Sequence, residues 1–249
     1  ARWMQRSKIT EGFVDAAIPF IKKAKQENKP FYINLWPDDV HTPFWPPVEQ
    51  WKDGSKRQLF LSVLEEMDRQ LGKLFDHVRN NPDLADNTLI LACSDNGPEK
   101  GAGVAGPFRG YKTHLYEGGI RSSLVAWAPK LMNKEVQGTI NKKSIFSAID
   151  LVPTLLEITE TKTPKHANFD GEPLPDVLLG KSNLSRKQDL LFRRPPDRDS
   201  FYGVEDLPDL AIRSGKWKLL CEYDGSDPSL YDLTEDRGEK DNLPAKHPK

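Results

Sequence analysis

Cysteine is scarce: Cys93 and Cys221 are the only two among 249 residues. Two thiols cannot build a disulfide framework or a four-thiolate zinc site, and a single bridge between them stays open. An excess of positive charge is lacking too, since 36 Lys plus Arg face 37 Asp plus Glu for a net charge of -1. That balance argues against a nucleic-acid binder, whose affinity rests on clustered cations neutralising phosphates. No polybasic run is present, which speaks against attachment to an anionic membrane surface. Long apolar runs are missing as well. The longest, Leu89–Cys93 and Leu124–Ala128, fall far short of the roughly 20 residues that span a bilayer. No internal repeat is found. These absences predict a soluble globular protein, with enough chain for one large or two modest domains. The chain begins Ala1-Arg2-Trp3, without an initiator Met, an apolar leader core or a cleavage pattern. It is therefore expected to have lost a leader or to start inside a longer gene product.

What is present is an alternation of helical and strand patterns. Phe13, Ala16, Ala17, Phe20, Ile21 and Ala24 recur at helical spacing, with Thr10 as a cap and Pro19 expected to kink the helix. Phe31–Trp36 reads as a buried strand, followed by a loop rich in proline (Pro37, Pro43, Pro46, Pro47). Phe60 to Val78 carries a long amphipathic pattern stopped at Asn80-Asn81-Pro82. Thr88–Cys93 and Leu124–Ala128 read as two further buried strands, and Ile149–Leu156 as a helix start capped by Asp150. The alternation predicts an α/β fold, a mainly parallel sheet with flanking helices.

Residues 161–208 carry Pro and Asp with little periodicity, which predicts an irregular connecting region between a domain at 1–160 and a small antiparallel subdomain at 209–249. In that subdomain Leu210–Arg213, a Ser214-Gly215 turn and Lys216–Tyr223 read as a hairpin. Trp217, Leu219 and Cys221 alternate with Lys218, Leu220 and Glu222, giving its second strand an inward face. Ser229–Leu233 adds a third strand, and the charged tail from Thr234 is expected to wrap the surface.

In open α/β sheets functional groups gather in loops beyond the carboxyl ends of strands. The loop after Phe31–Trp36 holds Asp38, Asp39 and His41. The loop after Thr88–Cys93 runs from Ser94 to about Arg121, well beyond the roughly 12–15 residues usual for unstructured connections. Seven of the 17 glycines lie in it (97, 101, 103, 106, 110, 118, 119), which lets backbone approach a ligand closely. Asp95-Asn96 at its mouth offers a carboxylate and an amide carbonyl, hard donors suited to Ca²⁺ or Mg²⁺. The same pair equally fits an ordinary Asn-Gly turn. Lys112 is placed to hold an anionic oxygen, or is simply solvated, and His41 is a donor, an acid or a structural side chain.

Taken together these segments resemble the sulfatase family. Ser94-Asp95-Asn96-Gly97, Arg109-Gly110-Tyr111-Lys112 and Tyr116-Glu117-Gly118-Gly119-Ile120-Arg121 resemble its second half. Phe31 to Pro43 resembles its strand-plus-His-Thr-Pro segment, and Ile149–Leu156 and Ala211–Leu243 its later helix and C-terminal sheet. The resemblance, of the arylsulfatase and N-acetylgalactosamine-6-sulfatase type, covers nearly the whole chain in family order. It implies an alkaline-phosphatase-like fold and hydrolysis of sulfate esters, with a sulfated small molecule or carbohydrate as substrate. Carried over, Asp95 and Asn96 are ligands of one divalent cation, usually calcium. Lys112 contacts the sulfate group, and His41 lies near the leaving-group oxygen. Family analogy also implies an extracytoplasmic location, periplasmic, secreted or lysosomal.

There are departures. The family's nucleophile is a formylglycine made from Cys or Ser in a Cys/Ser-x-Pro-x-Arg segment, which this sequence lacks: Cys93 precedes Ser-Asp-Asn and Cys221 precedes Glu-Tyr-Asp. The N-terminal metal-binding aspartates also have no counterpart, and Asp38-Asp39 is out of order for them. The expectation is a C-terminal half, partnered by the N-terminal half of the same protein that would carry the formylglycine, and inactive alone. Val40 replaces a frequent proline, and His114 stands where a small hydroxyl residue is common. Two rivals are a phosphodiesterase or phosphonate hydrolase of the same superfamily, and a catalytically dead sulfatase-like binding module. Trp36, Trp45, Asp38, Arg109 and His114 are expected to line or flank the site, surroundings that suit a sulfated sugar.

Overall fold

The computed structural model describes residues 6–51, 54–195 and 207–243. They form two compact units, one of the described residues within 1–88 and 99–104 and the other of those within 89–98 and 105–249. Parts of the expected connecting region (196–206) and of the charged tail (244–249) lie outside the described residues.

The first unit is a helix pair. Helix α1 (Ile9–Gln26) buries Thr10, Val14, Ala17, Ile21 and Ala24, a stripe at three- and four-residue spacing. Phe13 and Phe20, expected in that stripe, are 38% and 49% exposed. The buried line runs one position round from them, through smaller side chains that let the partner helix approach. Pro19 lies inside α1 without ending it. Thr10 does not cap the helix; it is fully buried and its hydroxyl donates to Asp39 Oδ2 at 2.5 Å. The missing cap is replaced from helix α2 (Lys56–Arg79), whose buried Gln70 accepts from Glu11 N–H at 2.7 Å and donates to Ser7 O at 2.7 Å. This satisfies an N–H that the helix cannot pair internally. Helix α2 itself starts on a capping box, Ser55 with Gln58, and ends at Asn80. The short helix α3 (Pro82–Ala85) follows.

Phe31–Trp36 forms no strand ladder. Its burial nevertheless alternates, with Phe31, Ile33 and Leu35 half-buried and Tyr32, Asn34 and Trp36 exposed, the two-residue period of extended chain. Trp45 and Trp51 meet with ring centroids 5.8 Å apart in the proline-rich loop, Trp45 being half-exposed.

The second unit carries strands β1 (Ile90–Cys93) and β2 (Leu124–Trp127), paired antiparallel from Ile90 opposite Trp127 to Cys93 opposite Leu124. The expectation of mainly parallel pairing is corrected here: every ladder among the described residues is antiparallel. A parallel return needs a crossover of about a dozen residues or more, usually a helix. In the second unit's share of this connection only helix α4 (Glu117–Ile120), a single turn, is available.

Helix α5 (Leu151–Ile158) starts at Asp150, whose side chain makes no cap to it. That buried carboxylate instead accepts from Ser147 N–H (2.8 Å) and Glu172 N–H (2.9 Å), anchoring the segment that leads to helix α6 (Pro175–Leu178).

Within the stretch read as connecting structure lies a strand, β3 (Leu190–Arg193). It opens a four-stranded antiparallel sheet with β4 (Leu210–Ser214), β5 (Trp217–Cys221) and β6 (Ser229–Asp232), in that spatial order. The hairpin turn uses Gly215 at φ 54°, where a Cβ would be strained. Its inward face is the reverse of the expected one: Lys218 and Leu220 are completely buried, while Trp217, Leu219 and Cys221 are half-buried. Leu220, Ala211, Tyr231 and Leu233 pack with Leu115 and Tyr116 from the glycine-rich loop. The sheet therefore supports that loop directly. Cys93 and Cys221 are both free thiols.

Candidate functional site

Strand β1 delivers the chain into a tight turn. Ser94 N–H donates to Ser122 Oγ at 3.0 Å, just ahead of β2, and Asn96 N–H donates to Asp95 Oδ1 at 3.0 Å. Asn96 Nδ2 donates to Gly97 O at 2.9 Å, which turns its carbonyl oxygen away from that contact. Asp95 is exposed, Asn96 half-buried and Gly97 buried. Gly97 N–H donates to Gly119 O at 2.8 Å, and a Cβ at residue 97 would lie 1.8 Å from Gly118 O. Asn96-Gly97 is thus a wedge against the Gly118-Gly119 backbone, not a free surface turn.

The Lys112 segment is pleated against the same two glycines. Lys112 N–H donates to Pro98 O at 2.8 Å, and Gly118 N–H donates to Arg109 O at 2.7 Å. A Cβ at Gly118 would meet Arg109 O and Gly110 O at 2.4 Å, and one at Gly119 would meet His114 O at 2.1 Å. Real Cβ atoms do not approach so closely, so the Gly-Gly pair is a steric requirement. Lys112 is half-buried, and its ammonium forms no ion pair among the described residues. Asp95, Asn96 and Lys112 therefore belong to one hydrogen-bonded loop system within the second unit.

His41 belongs to the first unit. Its Nδ1 lies 2.8 Å from Thr42 O, and a carbonyl leaves Nδ1 only the donor role, so Nε2 is the basic nitrogen. Arg6 fixes this turn by donating to His41 O and Asp38 O, both at 3.1 Å, and pairs with the Asp38 carboxylate at 3.3 Å. The side chain of His41 is exposed.

Of the residues expected to surround a substrate, Arg109 and His114 are otherwise engaged. The Arg109 guanidinium lies 3.9 Å over the Tyr116 ring and donates to Tyr231 OH and Glu239 O. His114 is buried with its ring 4.0 Å from Tyr111. Trp36 is 73% exposed and Trp45 51%.

The groups missed from sequence sit behind the loop. Lys218 on β5 is fully buried and reaches Glu117 Oε1 at 3.2 Å and Glu239 Oε1 at 3.1 Å. Glu239 Oε2 accepts from Glu117 N–H at 2.7 Å, and Arg213 pairs with Glu117 Oε2 at 2.7 Å. Burial opposes ionisation of Glu117, but Lys218, Arg213 and Arg121 outweigh it and hold the carboxyl below its usual value. Burial wins at Glu239, whose carboxyl is pushed up. One signal pointed to this cluster, a lysine set between Trp217 and Leu219-Leu220 in a short strand.

Among the described residues no three His, Cys, Asp or Glu side chains cluster as a metal site. Asp95 and Asn96 fit a hard divalent cation in kind and supply two of the roughly six to eight oxygens that calcium takes.

Comparison with known proteins agrees with the fold. A solved structure from glycosaminoglycan metabolism by Bacteroides thetaiotaomicron superposes over 100% of this chain and 53% of its own, with TM-score 0.79 and 25% identity. A phosphonate monoester hydrolase of Agrobacterium radiobacter shares the fold over 77% of this chain (TM-score 0.52, 24% identity, 38% of its own length). The architecture is that of the alkaline-phosphatase-like hydrolases. The Sulfatase family model matches residues 6–161, and the chain belongs to the sulfatase family. A sulfatase of Formosa agariphila is 27% identical over 96% of this chain and 46% of its own length. For an N-acetylgalactosamine-6-O-sulfatase of Bacteroides thetaiotaomicron the values are 28%, 96% and 48%. The chain thus spans about half the length of these curated relatives. No described helix is long and apolar enough to cross a membrane.

Proposed function

We propose that this chain is the C-terminal half of a sulfatase that hydrolyses sulfate monoesters of sugars outside the cytoplasm. The observation that carries the reading is the single loop system holding Asp95, Asn96 and Lys112, on a chain that matches about half of its sulfatase relatives. Lys112 would hold a non-bridging sulfate oxygen. A fixed ammonium stabilises the charge that grows there as the S–O bond breaks, without solvent reorganisation. His41, with Nδ1–H held by Thr42 O, would in its imidazolium form give its Nε2 proton to the departing alkoxide and be left neutral, a role typically worth about 10²–10⁴-fold. Asp95 and Asn96 would hold one divalent cation, calcium by their hard oxygens, which when bound adds positive charge beside the sulfate oxygens.

The nucleophile and the remaining metal ligands would come from the N-terminal half as a formylglycine and its neighbouring aspartates. The isolated chain is therefore expected to show negligible turnover and weak calcium affinity. The sulfated-sugar class follows the relative named as an N-acetylgalactosamine-6-O-sulfatase. The test is turnover of a sulfated hexosamine against a simple aryl sulfate by the protein extended through its upstream coding sequence. Preference for the aryl compound would count against the sugar.

The phosphonate hydrolase reading rests on a shared fold alone. Two-metal phosphoester chemistry favours more numerous nitrogen donors than Asp95-Asn96 provides. Matched sulfate and phosphonate esters would separate the two readings. An upstream sequence with no Cys/Ser-x-Pro-x-Arg segment would favour a catalytically dead binding module instead.

A further inference from the structure

Lys218 is the largest fully buried side chain of the described residues, and it lies in the small sheet, far along the sequence from every candidate site residue. A buried ammonium needs a reason, because desolvating it is costly unless it is paired and hydrogen-bonded. Its two partners supply one. Glu117 is the first residue of α4, and Glu239 accepts the Glu117 N–H. The residues that follow Glu117 are the Gly-Gly pair that receives both site loops. Gly118 N–H holds Arg109 O at 2.7 Å, and Gly119 O holds Gly97 N–H at 2.8 Å. One route therefore runs from β5 through two carboxylates into α4, and from α4 into the Asp95-Asn96 turn and the Lys112 segment.

We propose that Lys218 is a positioning residue: by clamping Glu117 and Glu239 together it fixes α4 in the register that sets Asp95, Asn96 and Lys112. This rests on reading those three as site residues. Arg213 and Arg121 contact only Oε2 of Glu117, so neither replaces a cation that bridges both carboxylates. The ionised state of Glu117 agrees with this assignment, since its carboxyl is held below the usual range in spite of burial. The small sheet is then more than an appendage. It is the fixed end against which the loops are held.

The test is amide hydrogen exchange on the 249-residue chain, with sulfate titration followed on the Lys112 resonance. In K218M the Gly97 and Gly118 amides should exchange about tenfold faster relative to the β5 amides, as local opening without global unfolding does. K218R, which keeps the charge, should restore the ratio. Leu178→Ala, a cavity in helix α6 outside the cluster that packs on Leu115 and Tyr116, should lower stability and leave that ratio unchanged. An unchanged ratio in K218M, or an equal rise in Leu178→Ala, would overturn the proposal. Should K218M fail to fold, E117Q keeps the side-chain shape, weakens the same clamp and carries the same expectation. Sulfate should shift the Lys112 resonance in the wild type and in K218R but more weakly in K218M. Absence of any sulfate response in the wild type overturns the reading of the site, while the exchange ratio still decides whether Lys218 sets the loops.

Discussion

The two ends of the glycine-rich loop differ in what holds them. At its mouth Asp95 is exposed and its contacts are to its immediate neighbours, Ser94 and Asn96. At its far end Glu117 is 2% exposed and is held by three cations and by Glu239 from the other end of the chain. The carboxylate proposed to hold a cation sits at the loosely held end, and the charges that cost most to bury sit behind the loop. Groups that must meet a ligand keep their oxygens accessible, and the rigidity they need is supplied by residues that never touch the ligand.

That contrast predicts a graded set of responses. The largest belongs to Gly119→Ala, whose Cβ would lie 2.1 Å from His114 O. Backbone must move, and a loss of about 3 kcal/mol or failure to fold is expected in urea denaturation. Next comes K218M, which leaves Glu239 buried without its cation; a loss of about 3 kcal/mol is expected by the same measurement.

A smaller effect is set by pH. Lys216 and Thr234 hold the Asp232 carboxyl down from 3.8 to about 2. A depressed carboxyl contributes stability that is fully present above its unfolded value and is lost as pH falls through the folded one. The melting temperature should therefore drop as pH falls from about 4 to about 2, and Asp232→Asn should flatten that part of the profile. The smallest effect is Asp95→Ala, expected to change stability by no more than about 0.5 kcal/mol because the side chain is exposed. If Asp95→Ala cost as much as K218M, the contrast between the two ends would be broken.

Periodicity was enough to read α2 and the β4–β5 hairpin, because an amphipathic stripe or an alternating strand declares itself locally. It placed Ala17, Ile21 and Ala24 correctly in the buried line of α1, but added Phe13 and Phe20 and passed over Val14, since bulk marks hydrophobicity while smaller side chains are what a close helix contact accepts. It also turned β5 inside out. Alternation put Trp217, Leu219 and Cys221 inward, but the sheet buries Lys218 and Leu220 instead. The reason is long-range: the partner that makes Lys218 tolerable inside is Glu117, 101 residues away. Parallel pairing failed for a related reason, since strand direction depends on the connection available and not on the strand's own sequence. Asp95, Asn96 and Lys112 stood out through their place in a long glycine-rich loop after a strand, and their roles came only from the motif around them. Glu117 stood in that motif with no role assigned, because nothing local shows that its carboxylate faces a buried cation.

The most direct measurement is hydrolysis of an aryl sulfate by this chain alone and by the protein extended through its upstream coding sequence, each beside its Lys112→Ala counterpart. No turnover by the 249-residue chain above its variant is expected, and turnover by the extended protein should fall by about 10²-fold or more in Lys112→Ala. Equal rates for the extended protein and its Lys112→Ala variant would contradict the role given to Lys112.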